Sequence, residues 1–231
     1  MTDAQVLAEP AAARAVEVPD EVGRAELRRD LCCLLAAAFL GPPTDALVAP
    51  LRDAATLEVL GALFGGEAVE PLRLWRHPGT VTADLRQEYF DLLAVPTARY
   101  LAPFESVSCD RREVDGQVVG GLTGGPSSRA VERLYERAGF VLEVRELPDH
   151  VGCELAFMAE LCAREAVALR DGDPTAALAA ARARRRFARE HLGRFAPGLC
   201  RRLEEGTAQP LLAGVARLTA ALVAEEVADG A

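Results

Sequence analysis

Lysine is missing from the chain altogether, and all 26 of its basic residues are arginine. That absence excludes a phosphate-cradling P-loop, a Schiff-base enzyme and a lysine general base, each of which needs an ammonium group. Aromatic residues are scarce, at 5% of the sequence, while Ala and Leu dominate the hydrophobic half, which favours helices over a β-sandwich or barrel. The three histidines, His77, His150 and His191, form no H-E-x-x-H motif or Cys/His cluster, and there is no G-x-S-x-G. Zinc-hydrolase and serine-hydrolase chemistry therefore lack their minimum parts, and no catalytic residue, metal site or cofactor is expected. None of the six cysteines forms a C-x-x-C pair, and most sit in apolar runs, which suits reduced packing residues of a cytoplasmic protein. Cys109 alone lies in a polar segment.

What is present fits an all-α fold. With 231 residues the chain is long enough for a well-buried core, and its formal charge of −9 argues against nucleic-acid binding. The first nineteen residues carry Asp3, Glu9 and Glu17 and no long apolar block, so they predict a disordered tail rather than a secretory signal, and no stable membrane insertion is expected. The chain is organised around Leu147-Pro148-Asp149-His150-Val151-Gly152-Cys153-Glu154-Leu155-Ala156-Phe157-Met158, a hinge running into a helix. Pro148 keeps Leu147 out of helical geometry, Asp149 can cap the helix, and Val151, Leu155, Met158 and Cys162 recur on one stripe.

Taken in order, Asp20 predicts the cap of a helix to Leu40, stopped by Gly41-Pro42-Pro43. Thr44 and Thr56 read as caps of two shorter helices, a further piece around Leu72 to Trp75 stops at His77-Pro78-Gly79, and Thr82 starts another. From Ala94 to Pro126 prolines and glycines predict one long irregular segment, with Val118-Val119 extended at most. A helix from Pro126 to Gly139 and a connector from Phe140 to Pro148 follow. Two helical lobes, 20–146 and 147–231, are expected to meet there after the 1–19 tail. Asp173-Pro174 opens an Arg-rich helix to about Leu192, and helices around Leu199 to Leu203 and from Pro210 to about Val227 complete the chain.

Polar groups gather in the irregular segment and the hinge. Glu88, Glu105, Asp149 and Glu154 could line a groove for a peptide bearing guanidinium groups. His150 and Glu154 stand i and i+4, as a charge or hydrogen-bonded pair would. The Gly120-Gly121-Leu122-Thr123-Gly124-Gly125 run reads as a turn. Between Pro174 and Arg202 there are eight arginines and one acid, Glu190, a sign opposite to that of the rest of the chain.

Several of these motifs are shared with one family. The hinge-helix Leu147-Pro148-Asp149-His150-Val151-x-x-Glu154-Leu155-x-Phe157-Met158, the segment Pro103-Phe104-Glu105-Ser106-Val107 with Asp110, Val131-x-x-x-Tyr135-x-x-Ala138-Gly139-Phe140 and Phe187-x-x-x-His191-Leu192 resemble the TorD/DmsD/NarJ family of molybdoenzyme maturation chaperones. The resemblance runs from about Ala25 to Val223. It implies a non-catalytic, cytoplasmic, all-helical chaperone for the precursor of a DMSO-reductase-family catalytic subunit, often bound through its twin-arginine leader peptide. The alternative it carries is a nitrate-reductase-type assembly factor for a cytoplasm-facing subunit; a small helical enzyme is the remaining reading from another class. The family's hinge Asp-His pair maps onto Asp149 and His150 and its Pro-aromatic-x-Ser motif onto Pro103, Phe104 and Ser106; with the acids Glu105 and Glu154 beside them, these seven residues make up the expected client-binding site. Phe104 and Ser108 stand where the family often has Tyr. A hinge between lobes admits either a monomer or a domain-swapped dimer.

Overall fold

A computed structural model describes residues 20–75 and 81–228. The expected 1–19 tail and the His77-Pro78-Gly79 stop lie outside the described residues. The described chain is mostly helical. Helix α1 spans Glu21–Leu40, with the Asp20 carboxylate accepting from the Gly23 amide at its start. Thr44 caps α2 (Asp45–Val48), and a 3₁₀ turn follows at Pro50–Arg52. Helix α3 (Ala54–Phe64) is capped by Asp53 and not by Thr56, whose amide and hydroxyl both donate to the Asp53 carboxylate at 2.8 Å. Helices α4 (Gly66–Leu74) and α5 (Ala83–Tyr89, capped by Thr82) lead into a π turn at Phe90–Ala94.

The segment expected to be irregular contains a short helix, α6 (Glu105–Cys109), and a hairpin of β1 (Arg112–Val114) and β2 (Gln117–Val119). The strands are antiparallel, with Arg112 opposite Val119. Asp115 and Gly116 both take positive φ at the turn, the geometry that matches the strands' own twist. Helix α7 (Pro126–Ala138) ends at Gly139 in the left-handed conformation. Helix α8 (Val151–Arg170) follows, then α9 (Pro174–Phe187), α10 (Gly193–Gly206) and α11 (Pro210–Ala228). The sequence predicts a break after Leu192. Instead a π turn at Ala188–Leu192 joins α9 to α10, because Phe195, Ala196, Leu199 and Cys200 bury a continuous face that rewards an unbroken rod.

Helix α8 is the central rod, and α1 packs along it. Gly152 allows that approach: a Cβ there would stand 2.6 Å from Leu40 Cγ and 3.0 Å from the Ala36 carbonyl oxygen. The predicted stripe of Val151, Leu155, Met158 and Cys162 is buried. One hydrophobic cluster takes in side chains from both 20–146 and 147–231. An ion-pair clamp lies within the helices. Arg184 of α9, 1% exposed, pairs with Glu226 of α11 and, at 3.1 Å, with Glu165 of α8. Arg28 of α1 reaches Glu225 at 2.6 Å and Glu226 at 3.4 Å. No described helix is long and apolar enough to cross a membrane.

Candidate functional site

Pro103 and Pro148 each keep the residue before them extended, so two stretches far apart in sequence can run side by side. Phe104 and His150 form an isolated antiparallel bridge. Beside it the Val151 amide donates to the Pro103 carbonyl at 2.8 Å, and the Glu105 amide to the Asp149 carbonyl at 3.0 Å. The Phe104 ring meets the imidazole edge-on, with centroids 5.2 Å apart.

The sequence predicts Asp149 as the cap of the following helix, but His150 holds that position. Its Nδ1 accepts from the Gly152 amide at 3.0 Å. Asp149 reaches across the joint and accepts from the Ser106 amide at 2.8 Å. It thereby supplies the side-chain cap that α6 cannot draw from its own N-terminal neighbour, Phe104. At the far end of α6, the Asp110 carboxylate accepts from the Ser127 amide at 2.9 Å and from its hydroxyl at 2.6 Å, which fixes the start of α7. The glycine run passes over α6. A Cβ on Gly121 would stand 1.9 Å from the Ser106 carbonyl oxygen, so only glycine lets the Gly121 amide reach the Val107 carbonyl.

Glu105 is fully buried. Its Oε2 lies 2.8 Å from His191 Nδ1, and its Oε1 accepts from Arg194 at 2.7 Å. The π turn supplies one extra residue in this stretch and brings His191 and Arg194 to the same carboxylate, with the His191 ring stacked on Phe187 at 5.0 Å. His191 carries a sequence signal through Phe187-x-x-x-His191-Leu192; nothing in the sequence points to Arg194.

Glu154 is also 0% exposed, and neither of its oxygens has a hydrogen-bond partner among the described residues; the same holds for Asp149 Oδ1 and Ser106 Oγ. Burial pushes its carboxyl well above the usual range, and Glu105 and Asp149 push in the same direction. Three carboxyl groups in one dry joint favour one of them as the neutral acid. Burial lowers His150 to about 4, with Asp149 opposing. A neutral ring is what the capping geometry requires, since a protonated Nδ1 could not accept from Gly152.

All seven residues expected at the client site are buried and brought together in this joint. Glu88 is engaged elsewhere, accepting from Arg99 at 2.9 Å and from the Ala208 amide at 3.0 Å. His150 and Glu154 make no side-chain pair; the hydrogen bond between them is the helical one from the Glu154 amide to the His150 carbonyl. No group of three or more His, Cys, Asp or Glu among the described residues could hold a metal ion. Burial raises the Cys109 thiol, outweighing the opposing Arg194, so the thiol is not activated.

The joint makes stability depend on pH from both sides. His150 has a folded value below its ordinary 6.5, so the unfolded chain takes the proton first. Stability is complete above that value and falls toward pH 4, with about 2 kcal/mol lost by about pH 5. Glu154 is raised, so its contribution is complete below the ordinary 4.5 and declines as pH rises through its folded value. Urea unfolding across this range should show both limbs, with H150Q flattening the acid one and E154Q the alkaline one. An unchanged profile in both variants would refute the assignment.

A family model described as nitrate reductase delta subunit matches residues 41–201, more than half of the chain. A search of curated proteins with the chain found no match.

Proposed function

Since the chain belongs to the nitrate reductase delta subunit family, part of the TorD/DmsD/NarJ chaperone group, we propose that it assists assembly of a nitrate-reductase-type molybdoenzyme catalytic subunit in the cytoplasm. Members of this family are non-catalytic chaperones. The family match supports the cytoplasm-facing client over an exported, leader-bearing one.

The observation that carries the reading is the convergence of Pro103, Phe104 and Ser106 with Asp149 and His150, the positions that the resemblance associates with client binding. Client engagement opens the Phe104–His150 bridge. Opening presents the Phe104 ring and the unpartnered carboxyl oxygens of Asp149 and Glu154, an apolar surface edged with acceptors for guanidinium groups. A client segment that is disordered when free loses entropy on binding, so the apolar contact supplies affinity and the carboxyl groups supply selectivity.

Calorimetry tests this with the purified chain and the N-terminal segment of the molybdoenzyme subunit encoded beside its gene. Asp149→Ala removes the cap of α6 and lowers stability by about 1 kcal/mol. Binding by that variant should weaken about tenfold, and client maturation should fall with it. Wild-type affinity in the variant would place client recognition elsewhere, and a client bearing a twin-arginine leader would favour the exported reading.

A further inference from the structure

A groove of about 480 Å³ runs between α7, α8 and α9 on the side of the Phe157–Phe187 contact. Leu134, Phe157, Leu161 and Phe187 form its apolar floor. Around it stand four guanidinium groups, those of Arg137, Arg164, Arg182 and Arg186, and one carboxylate, Glu190. Arg164 is tied to Glu160 at 2.8 Å and Arg186 to Glu190 at 3.0 Å. No ion pair joins Arg137 or Arg182 to a carboxylate among the described residues, and both are exposed.

The sign of this rim is opposite to that of the protein, whose formal charge is −9. It also differs from the groove between α4, α10 and α11, where Glu67, Glu70 and Glu204 outnumber Arg201 and Arg217. The Arg-rich stretch divides accordingly. Arg184 and Arg194 pair with buried carboxylates, whereas Arg182 points its charge to the groove edge.

We propose that this groove binds an acidic amphipathic peptide segment, whose bulky apolar side chains enter over Phe157 and Leu161 while flanking carboxylates pair with Arg137 and Arg182. A volume in the range of ordinary ligand pockets suits a few side chains rather than a whole helix face. Guanidinium groups pair bidentately with carboxylates, so the rim selects the sign and register of the segment while the floor holds it. This deepens the chaperone reading and rests on it: the floor lies on α8, the same helix that His150 caps, so a client held at the joint has a second, oppositely charged foothold beside it.

The test uses the full chain and a labelled peptide with Leu-Phe-Leu flanked on both sides by pairs of Glu, read by fluorescence anisotropy. The acidic peptide is expected to bind, its all-Lys counterpart to fail, and the variant R137Q/R182Q to lose about tenfold in affinity with a shallower salt dependence. No binding of the acidic peptide, equal binding of the Lys peptide, or unchanged affinity in the variant would overturn the proposal. So would displacement of the peptide by phosphatidylglycerol vesicles or by RNA at lower concentration, which would mark a general anion surface. The two sites separate cleanly: loss of client binding in D149A with intact peptide binding isolates the joint, and the converse isolates the groove.

Discussion

Arg184→Ala is expected to lower the unfolding free energy by about 4 kcal/mol, the scale of breaking a buried ion pair by removing one partner. Arg184 is 1% exposed and pairs with Glu226 of α11 and Glu165 of α8, so one guanidinium joins three helices. Burial already pushes the Glu226 carboxyl upward, offset in part by Arg184 and Arg28. Without Arg184, Glu226 must either stay charged in dry surroundings or take up a proton, and both lower stability. Replacing the pair together, R184M/E226L, should recover most of the loss, since apolar side chains of similar volume need no compensating charge. Urea unfolding followed by circular dichroism would check both. A loss below about 1 kcal/mol in R184A would show that the clamp is solvated like a surface pair.

Glu105→Ala is expected to be nearly as severe, at about 3 kcal/mol, and more local. It removes the acceptor shared by His191 and Arg194 and leaves a void beneath the Phe104–His150 bridge. Arg194 is about half exposed and can turn to water, which sets the loss below that at Arg184. Hydrogen exchange should quicken first at the amides of Glu105, Ser106 and Val151, which close the joint, well before α8 or α11 opens. Glu105→Gln keeps an acceptor and the packing, so it should fall between Ala and wild type. If exchange in the Ala variant rises evenly along the chain, Glu105 is a general core residue and no clasp of the joint.

Helix starts and stops were legible because capping is a local event. Asp20, Thr44, Thr82 and Asp173 accept from amides three residues on, and Gly139 ends α7 in a conformation that its neighbours alone require. Thr56 and Asp149 were the exceptions among the caps: Asp53 offered the better acceptor for α3, and His150 took the cap of α8. The α6 turn and the hairpin stayed hidden among prolines and glycines because each is too short to show a period.

Composition and local spacing determined that this chain is helical and where most of its rods begin. Tertiary structure alone decided what the polar groups of the joint do. Asp149 accepts from the first-turn amide of a helix 43 positions away, Glu105 meets His191 across 86, and Arg184 is buried although nothing in its run of arginines sets it apart from its exposed neighbours. An ordinary cap is chosen among amides within one turn, so the sequence next to it suffices, whereas the Asp149 cap reaches across the joint. A buried charge is stable only against the partner that the returning chain delivers, and that delivery depends on the packing of every helix between them.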